Sequence, residues 1–360
     1  MSIGLPKIEI TFKQLAQTAI SRSARGIVAL IVKDDTDTTF DVKEYKLPSE
    51  VEASKYTATN AQYIKDVFEG NPSKVIVARV AIDSKNATTD AIKLIGSRKY
   101  NWIGHAEGIA SEQQALTAYV KEQETANKKN IKAIVHNVTN PDSMAVVNFS
   151  NEELTYKDGV TITGEKYVAR LLGLLSGLPM TQSGTYKPLP ELLTVKEPVD
   201  VEAAINAGKL VLINDENTVR IGRAVNSLTT VGDGKSEDMK KIIVCETIHL
   251  IKEDIFNTFK SDYLGKFKNK YDNQVLLISA INTYFDILAS EDILDPEYDN
   301  RCFVDVEAQR KAWIESGKTE VLDWDDATIR VRTFRSNVYL SGQVKILDAM
   351  EDFRFAITME

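Results

Sequence analysis

The residues that could do chemistry are three histidines, two cysteines and a few acidic clusters, and their spacing supports little of it. No two of His105, His136 and His249 stand at metal-ligand spacing. Cys245 and Cys302 stand far apart in apolar contexts and read as buried free thiols. Gly232-Asp233-Gly234-Lys235-Ser236 resembles the end of a phosphate loop. The position where such a loop needs its first glycine is Thr229, so the segment reads as a turn before a helix. His105 follows an expected strand end, where α/β folds often carry catalytic groups. With Glu107 it is the best foothold for an enzyme, although a loop or core histidine is the simpler reading. Glu291-Asp292 and Asp323-Trp324-Asp325-Asp326 lack the oxygen spacing of a calcium loop and read as turns and a helix cap. No residue is assigned a catalytic, cofactor-binding or metal-ligating role. One charged feature stands apart: Lys260, Lys266, Lys268 and Lys270 form a basic run around Phe267 and Tyr271. It reads as a solvated helix end and loop, as a docking patch for an acidic partner surface, or, a poor third, as a nucleic-acid contact.

The bulk properties restrict the role further. The chain has 360 residues, 43% of them hydrophobic and 27% charged, which suits a folded protein of two or three domains. A formal net charge of −8 disfavours nucleic-acid binding as the main task. No apolar run reaches the roughly 18 residues of a membrane span. The N-terminus has no apolar core of a signal peptide.

The two ends are more informative. Ile8, Ile10 and Phe12 alternate with Lys7, Glu9, Thr11 and Lys13, and Phe353, Phe355, Ile357 and Met359 share one face of the last segment. A period of two means a half-buried strand. Such strands must pair with a sheet edge, in their own domain or in a neighbouring molecule.

Between the ends the texture changes once. Gly26 to Val32 reads as a strand buried on both faces. Strand and helix then alternate, with strands at Lys74–Val80, Tyr100–Ile103 and Ile131–His136. A helix opens at Ser111 with Gln114 in capping-box position, and another spans about Gly164–Leu175. Asp200 caps a short helix, and Lys209–Ile213 pairs with Thr218–Ile221 as a hairpin. From Ser236 onward, Val244, Ile248, Ile251, Ile255 and Phe259 mark one long helix; Val275, Ile278, Ile281, Phe285 and Leu288 mark a second. A strand at Cys302–Asp305 and a helix at Glu307–Glu315 follow. Three closing strands are expected at Thr328–Phe334, Val338–Leu347 and Phe353–Met359. The fold class is a multidomain mixture of α/β and α+β. Residues 1–25 are an arm and linker, 26–235 an α/β domain with its core at about 60–235, 236–347 an α+β domain, and 348–360 an arm strand.

With this order in place, the chain resembles the tail sheath proteins of contractile phage tails and phage-tail-like bacteriocins of the Gram-positive type. Gly4-Leu5-Pro6-Lys7-Ile8-Glu9-Ile10 and Arg25-Gly26-Ile27-Val28-Ala29-Leu30 are similar to the family's opening. Arg223-Ala224-Val225-Asn226-Ser227-Leu228-Thr229-Thr230 resembles its R-x-(I/V)-N-(T/S)-L-T-T segment, so that Arg223, Asn226, Leu228 and Thr229 are its marked positions. Asn337 to Val344 and Asp348 to Glu351 are similar to its closing strands. The resemblance implies an α/β domain outside, an α+β domain facing an inner tube, and terminal arms exchanged between subunits. It implies hexameric rings that stack into a metastable sleeve and contract to drive the tube through a target envelope, with no cofactor. Implied partners are sheath neighbours, the inner tube protein, and baseplate and tail terminator proteins, without nucleic acid or direct membrane insertion. Assembly would occur in the bacterial cytoplasm, for a virion tail or a bacteriocin released by lysis. Gln14–Arg25 and the turn at Asp348–Glu351 are candidate hinges, and the Lys260–Lys270 run is the candidate tube contact. A tube or baseplate subunit, or a soluble α/β enzyme, are the alternatives.

Overall fold

The computed structural model describes residues 19–22 and 25–359. The described residues form two compact units, one drawn from residues 22–253 and 346–359, the other from residues 19–21 and 254–345. The expected strand bearing Ile8, Ile10 and Phe12, and most of the Gln14–Arg25 connection, lie outside the described residues.

The first unit is α/β. Along the chain come β1 (Ile27–Lys33), β2 (Val42–Tyr45), α1 (Ala58–Phe68), β3 (Lys74–Val80), α2 (Ala87–Ile95), β4 (Trp102–His105), α3 (Ala110–Thr125), β5 (Lys132–His136) and β6 (Val146–Phe149). Then follow β7 (Glu153–Tyr156), β8 (Thr161–Thr163), α4 (Val168–Ser176), β9 (Pro188–Leu189), β10 (Leu192–Val195), α5 (Val201–Asn206), β11 (Lys209–Leu210), β12 (Leu212–Asp215) and β13 (Thr218–Ile221). Among the described residues the main sheet has the order β11-β6-β5-β4-β1-β3-β2, parallel throughout except for β2.

The apolar run of β1 divides by alternation between two cores, because successive side chains leave a strand on opposite faces. Val28, Leu30 and Val32 join α1 and α4 on one face; Ile27, Ala29 and Ile31 join α2 and α3 on the other. On the first face the helices touch backbone to backbone. A Cβ on Gly173 of α4 would sit 2.1 Å from the Val67 carbonyl oxygen, and one on Gly70 2.0 Å from the Gly173 carbonyl carbon. The mid-helix glycine is therefore a steric requirement of the α1–α4 crossing rather than a weak helix position.

Local differences from the sequence reading have local causes. The N-cap of α3 is Ile109, and the Glu112 carboxylate accepts its N–H at 2.8 Å; Ser111 and Gln114 are not the capping pair. The stretch 209–213 is split: β11 joins the main sheet, while β12 pairs with β13 as the hairpin.

α6 (Ile242–Thr258) starts in the α/β unit, and the division between the units falls inside it, between Glu253 and Asp254, rather than at Ser236. Its first turns belong to the α/β unit because Ile242 enters that core and Cys245 packs with Met144 and Leu228. The second unit continues with α7 (Tyr271–Ser290), β14 (Arg301–Val304), α8 (Val306–Glu315), α9 (Asp326–Val331) and β15 (Leu340–Gln343). The Tyr284 hydroxyl of α7 donates to buried Asp254 at 2.7 Å. Trp313 meets Trp324 and Phe334 edge-on at 6.0 and 4.9 Å, and the Gln309 amide donates to the Ile329 carbonyl at 2.6 Å. The strand expected at Thr328–Phe334 is instead helix α9: the Asp325 carboxylate accepts the Thr328 N–H at 2.8 Å and caps it. The strand expected over Val338–Leu347 is the shorter β15, antiparallel to β14 from Arg301↔Gln343 to Val304↔Leu340.

Gly173→Ala is expected to lower the stability of the chain by at least about 1–3 kcal/mol, the cost of overpacking a closed contact. Chemical denaturation followed by circular dichroism checks this; a change under 0.5 kcal/mol (roughly the range of neutral surface substitutions) would show that the α1–α4 contact is not tight.

Candidate subunit interface

The C-terminal segment is the least buried apolar stretch of the described chain. Phe353, Phe355, Ile357 and Met359 are between 70% and 90% exposed, and residues 347–359 take part in no helix or ladder. The rings of Phe353 and Phe355 lie 6.1 Å apart at 21°, so these alternate residues share a side. Burying such side chains is worth roughly 1.5–3 kcal/mol each, and the chain itself supplies no cover for them.

The root of this tail is fixed, in contrast to the hinge expected at Asp348–Glu351. The Glu351 side chain is only 4% exposed. One of its oxygens accepts from the hydroxyls of Ser183 at 2.8 Å and Thr185 at 2.7 Å. Lys241 Nζ lies 3.5 Å and Arg223 Nε 3.8 Å from its other oxygen. Arg223 also donates to Asp352 at 2.6 Å, and Lys241 to Asp348. The bond to Asp352 raises the Arg223 pKa. Burial pulls the Lys241 ammonium down, but Asp348 and Glu351 outweigh it, and its pKa lies above the usual lysine value.

The segment around Arg223 is otherwise a structural knot. The Asn226 amide donates to the Met239 carbonyl at 2.7 Å while its oxygen accepts the Leu228 N–H at 3.0 Å. Leu228 is buried beside Met144 and Cys245. One oxygen of Asp142 accepts from the Thr229 N–H at 2.8 Å, the Thr230 N–H at 3.0 Å and the Thr229 hydroxyl at 3.1 Å. The Thr229 backbone bond, followed by those of Thr230, holds the Asp142 carboxyl well below the usual aspartate range. Arg223 thus reaches the tail, whereas Asn226, Leu228 and Thr229 serve the fold. The sequence reading missed Ser183, Thr185, Lys241 and the three acids as a set. The signal was present as an acidic cluster directly before the apolar alternation.

The second unit offers an edge of matching kind. In β14 the Cys302 N–H donates to the Asn282 side chain at 2.7 Å, and the Asn282 amide returns a bond to the Cys302 carbonyl at 3.4 Å. α7 thereby closes the outer edge of β14 at that residue. No such side-chain partner meets Leu340 or Gly342 on β15 among the described residues. Beside β15 runs a groove of about 400 Å³ lined by Ile255, Phe259, Leu277, Ile281, Phe285 and Leu340. Lys260, Lys266, Lys268 and Lys270 are exposed on the same unit. Lys266 donates to the Ser261 carbonyl, and Lys270 pairs with Asp272 at 2.8 Å. Lys268 and Arg335 border a second groove of about 410 Å³ built on Phe259, Tyr263 and Phe267.

The enzyme foothold is otherwise occupied. His105 lies at the carboxyl end of β4, beside β1, where the strand order reverses. It is buried, 3.6 Å from Glu112, which is itself paired with Lys33 at 3.0 Å. Burial lowers the His105 pKa. Glu107 pairs with Lys166 at 3.2 Å. His249 is buried against Lys132 at 3.3 Å.

Comparison with known proteins gives a consistent picture. Residues 234–360 match the family model of the phage tail sheath C-terminal domain. The chain is 34% identical to the tail sheath protein of Clostridium phage phiCD119, over 99% of both chains. Its fold is similar to a sheath tail protein of Desulfitobacterium hafniense, with TM-score 0.70 at 16% identity over 83% of this chain and 94% of that one. It is also similar to the helical sheath of the anti-feeding prophage in its contracted state, with TM-score 0.69 at 11% identity over the full length of both.

Asp142→Asn keeps an acceptor but removes the charge held by Thr229 and Thr230. Because the folded-state pKa is depressed, the contribution is present above the usual aspartate pKa of 3.8 and is lost as pH falls through the folded value. The variant is expected to be about 1 kcal/mol less stable at pH 7, the scale of a partly exposed charged hydrogen bond, with the gap narrowing in acid. Urea melts across pH check it; a gap that is constant with pH would overturn the assignment.

Proposed function

The chain belongs to the phage tail sheath family, and we propose that its subunits stack as hexameric rings around an inner tube, joined by exchanged strands, and contract to drive that tube through a target envelope. As a member of this family it is a structural protein of a contractile tail and not an enzyme. One observation carries the finer reading: the apolar face of Phe353, Phe355, Ile357 and Met359 stands in water on a tail whose root is fixed.

A strand added to a neighbour's sheet meets both needs of this tail. Its main chain would gain hydrogen bonds of roughly 1 kcal/mol net each. Its four apolar side chains would leave water, although immobilising the partners offsets part of the gain. The receiving edge in this proposal is β15 and not β14, whose outer edge is occupied at Cys302 by Asn282. The apolar groove beside β15 suits the incoming side chains. Ile8, Ile10 and Phe12 form the corresponding N-terminal strand in this reading.

The exposed Lys260, Lys266, Lys268 and Lys270 are proposed to meet an acidic surface of the tube. Such contacts weaken with salt and break more readily than buried apolar ones, as a stroke requires. Baseplate and terminator proteins complete the assembly, built in the host cytoplasm for a virion tail or a bacteriocin. No described helix is long and apolar enough to cross a membrane.

Negative-stain electron microscopy of the purified chain tests the strand exchange. Long striated tubes are expected from the full-length protein. Discrete particles are expected from a chain lacking residues 348–360 and from the double variant Phe355→Asp, Ile357→Asp, with unchanged circular dichroism. Tubes formed equally well by these variants would rule out the C-terminal arm. Charge reversal of Lys266, Lys268 and Lys270 is expected to abolish assembly on the tube; assembly left intact would remove the tube-contact proposal.

A further inference from the structure

Arg25, just before β1, and the tail root at Asp348–Asp352 both lie next to charges carried by one stretch of chain. On the N-terminal side, Arg25 immediately precedes Gly26 and β1. Its guanidinium pairs with the Glu246 carboxylate and lies 3.6 Å from Glu253, both on α6. It also donates to the Glu246 carbonyl at 3.3 Å. The site is built in depth: Lys132, 1% exposed, holds the second Glu246 oxygen at 2.7 Å, and Lys99 holds Glu253 at 2.5 Å. The Ser73 hydroxyl donates to the Arg25 carbonyl at 2.6 Å and fixes the backbone at the same point.

On the C-terminal side, Lys241 immediately precedes α6 and binds Asp348 and Glu351, with Arg223 taking Asp352. The Lys241 carbonyl accepts the Cys245 N–H at 3.1 Å, so this lysine is part of the helix start. The charges are opposite in sign at the two roots: a cation before the helix holds the acidic tail, and two acids on the helix hold the basic root of the N-terminal arm. α6 is also the element in which the chain passes from one compact unit to the other.

We infer that the start of α6, from Lys241 to Glu253, is a common mooring for both arms, with Arg25 and the Asp348–Glu351–Asp352 cluster as its two cleats. The mooring fixes where each arm leaves the unit, and a pull along either arm reaches the helix directly. Arg25, Arg223, Lys241 and Glu351 are positioning residues: they act on neighbours through the strands they orient. The assembly arm of this inference rests on the sheath reading above; the mooring itself does not, because it is a property of the single chain.

The test is a charge swap read in two ways. Hydrogen exchange on the unassembled protein is expected to rise about tenfold at residues 346–352, a loss of local protection, in Lys241→Glu and in Arg223→Gln. The swap Lys241→Glu with Asp348→Lys is expected to restore protection, which general damage to the fold would not allow. Arg25→Gln is expected to raise exchange at residues 25–28 and leave 346–352 protected. Should Arg25→Gln fail to fold, Arg25→Lys keeps the charge but loses the fork that reaches both Glu246 and Glu253, and is read the same way. In electron micrographs the single variants are expected to lose most of their tubes and the swap to regain them. Unchanged exchange in Lys241→Glu and Arg223→Gln would overturn the mooring. Single variants that lose protection yet assemble as well as the parent would overturn its role in placing the arms. A parent chain that forms no tubes would instead count against the sheath assembly, leaving the exchange result to judge the mooring alone.

Discussion

An extended segment with one apolar face is unstable alone in water, and this requirement organises the molecule. Its backbone groups need partners and its side chains need cover, and a sheet edge supplies both at once. The C-terminal tail carries Phe353, Phe355, Ile357 and Met359 in the open. The apolar run of β1, by contrast, is buried between two cores. The contrast gives the tail its meaning: a fold able to cover both faces of β1 leaves these four residues for another surface.

In the proposed assembly the tail would carry load, and its attachment would then need to be stiff. The α/β unit provides stiffness through close packing, most tightly where α1 and α4 meet at Gly173 and Gly70. Its crevice at the reversal of strand order, where related architectures place ligands, is filled by Lys33, Glu112 and His105. The same charges tie β1, β4 and α3 together. Polar groups are used in this way throughout the unit, as internal fasteners with short reach and fixed direction. Glu351 is the clearest case: one nearly buried carboxylate surrounded by two hydroxyls and two cations.

The parts legible in the sequence were those whose signal is local. β1 announces itself by a continuous apolar run and the tail by strict alternation, and both patterns are complete within a few residues. α9 was read as a strand because Thr328-Ile329-Arg330-Val331 is β-branched and alternating. A single cap at Asp325 decides for helix, and tertiary packing of Ile329 outweighs the propensity. The turn at Asp348–Glu351 was read as a candidate hinge, with no sign of what holds it. Its partners Ser183, Thr185, Arg223 and Lys241 are distant in sequence, and nothing local announces a buried carboxylate. Arg223 was noticed only as part of a family-like segment; its task became visible through the acids it holds. The division inside α6 was illegible for the same reason, since the helix is continuous in pattern while its partners change at Glu253.

In the proposed sleeve, the asymmetry of the small sheet in the second unit would give assembly its direction. A two-stranded sheet has two outer edges, and a chain that left both open would pair with any extended segment at either side. Asn282 occupies the outer edge of β14 at Cys302 with a reciprocal pair of hydrogen bonds, while β15 borders an apolar groove. In the proposed exchange, a polar side chain spent on one edge would leave a single receiving side, beside a groove that suits an alternating apolar strand. In the proposed sleeve this converts a general tendency to aggregate into an ordered one. The donor leaves its unit at a fixed root, the receiver accepts on one edge, and each added subunit presents the same pair of surfaces to the next. Persistent contacts are then the apolar strand insertions, and the contacts free to rearrange are the exposed ion pairs, whose small individual worth allows many to be exchanged in one movement.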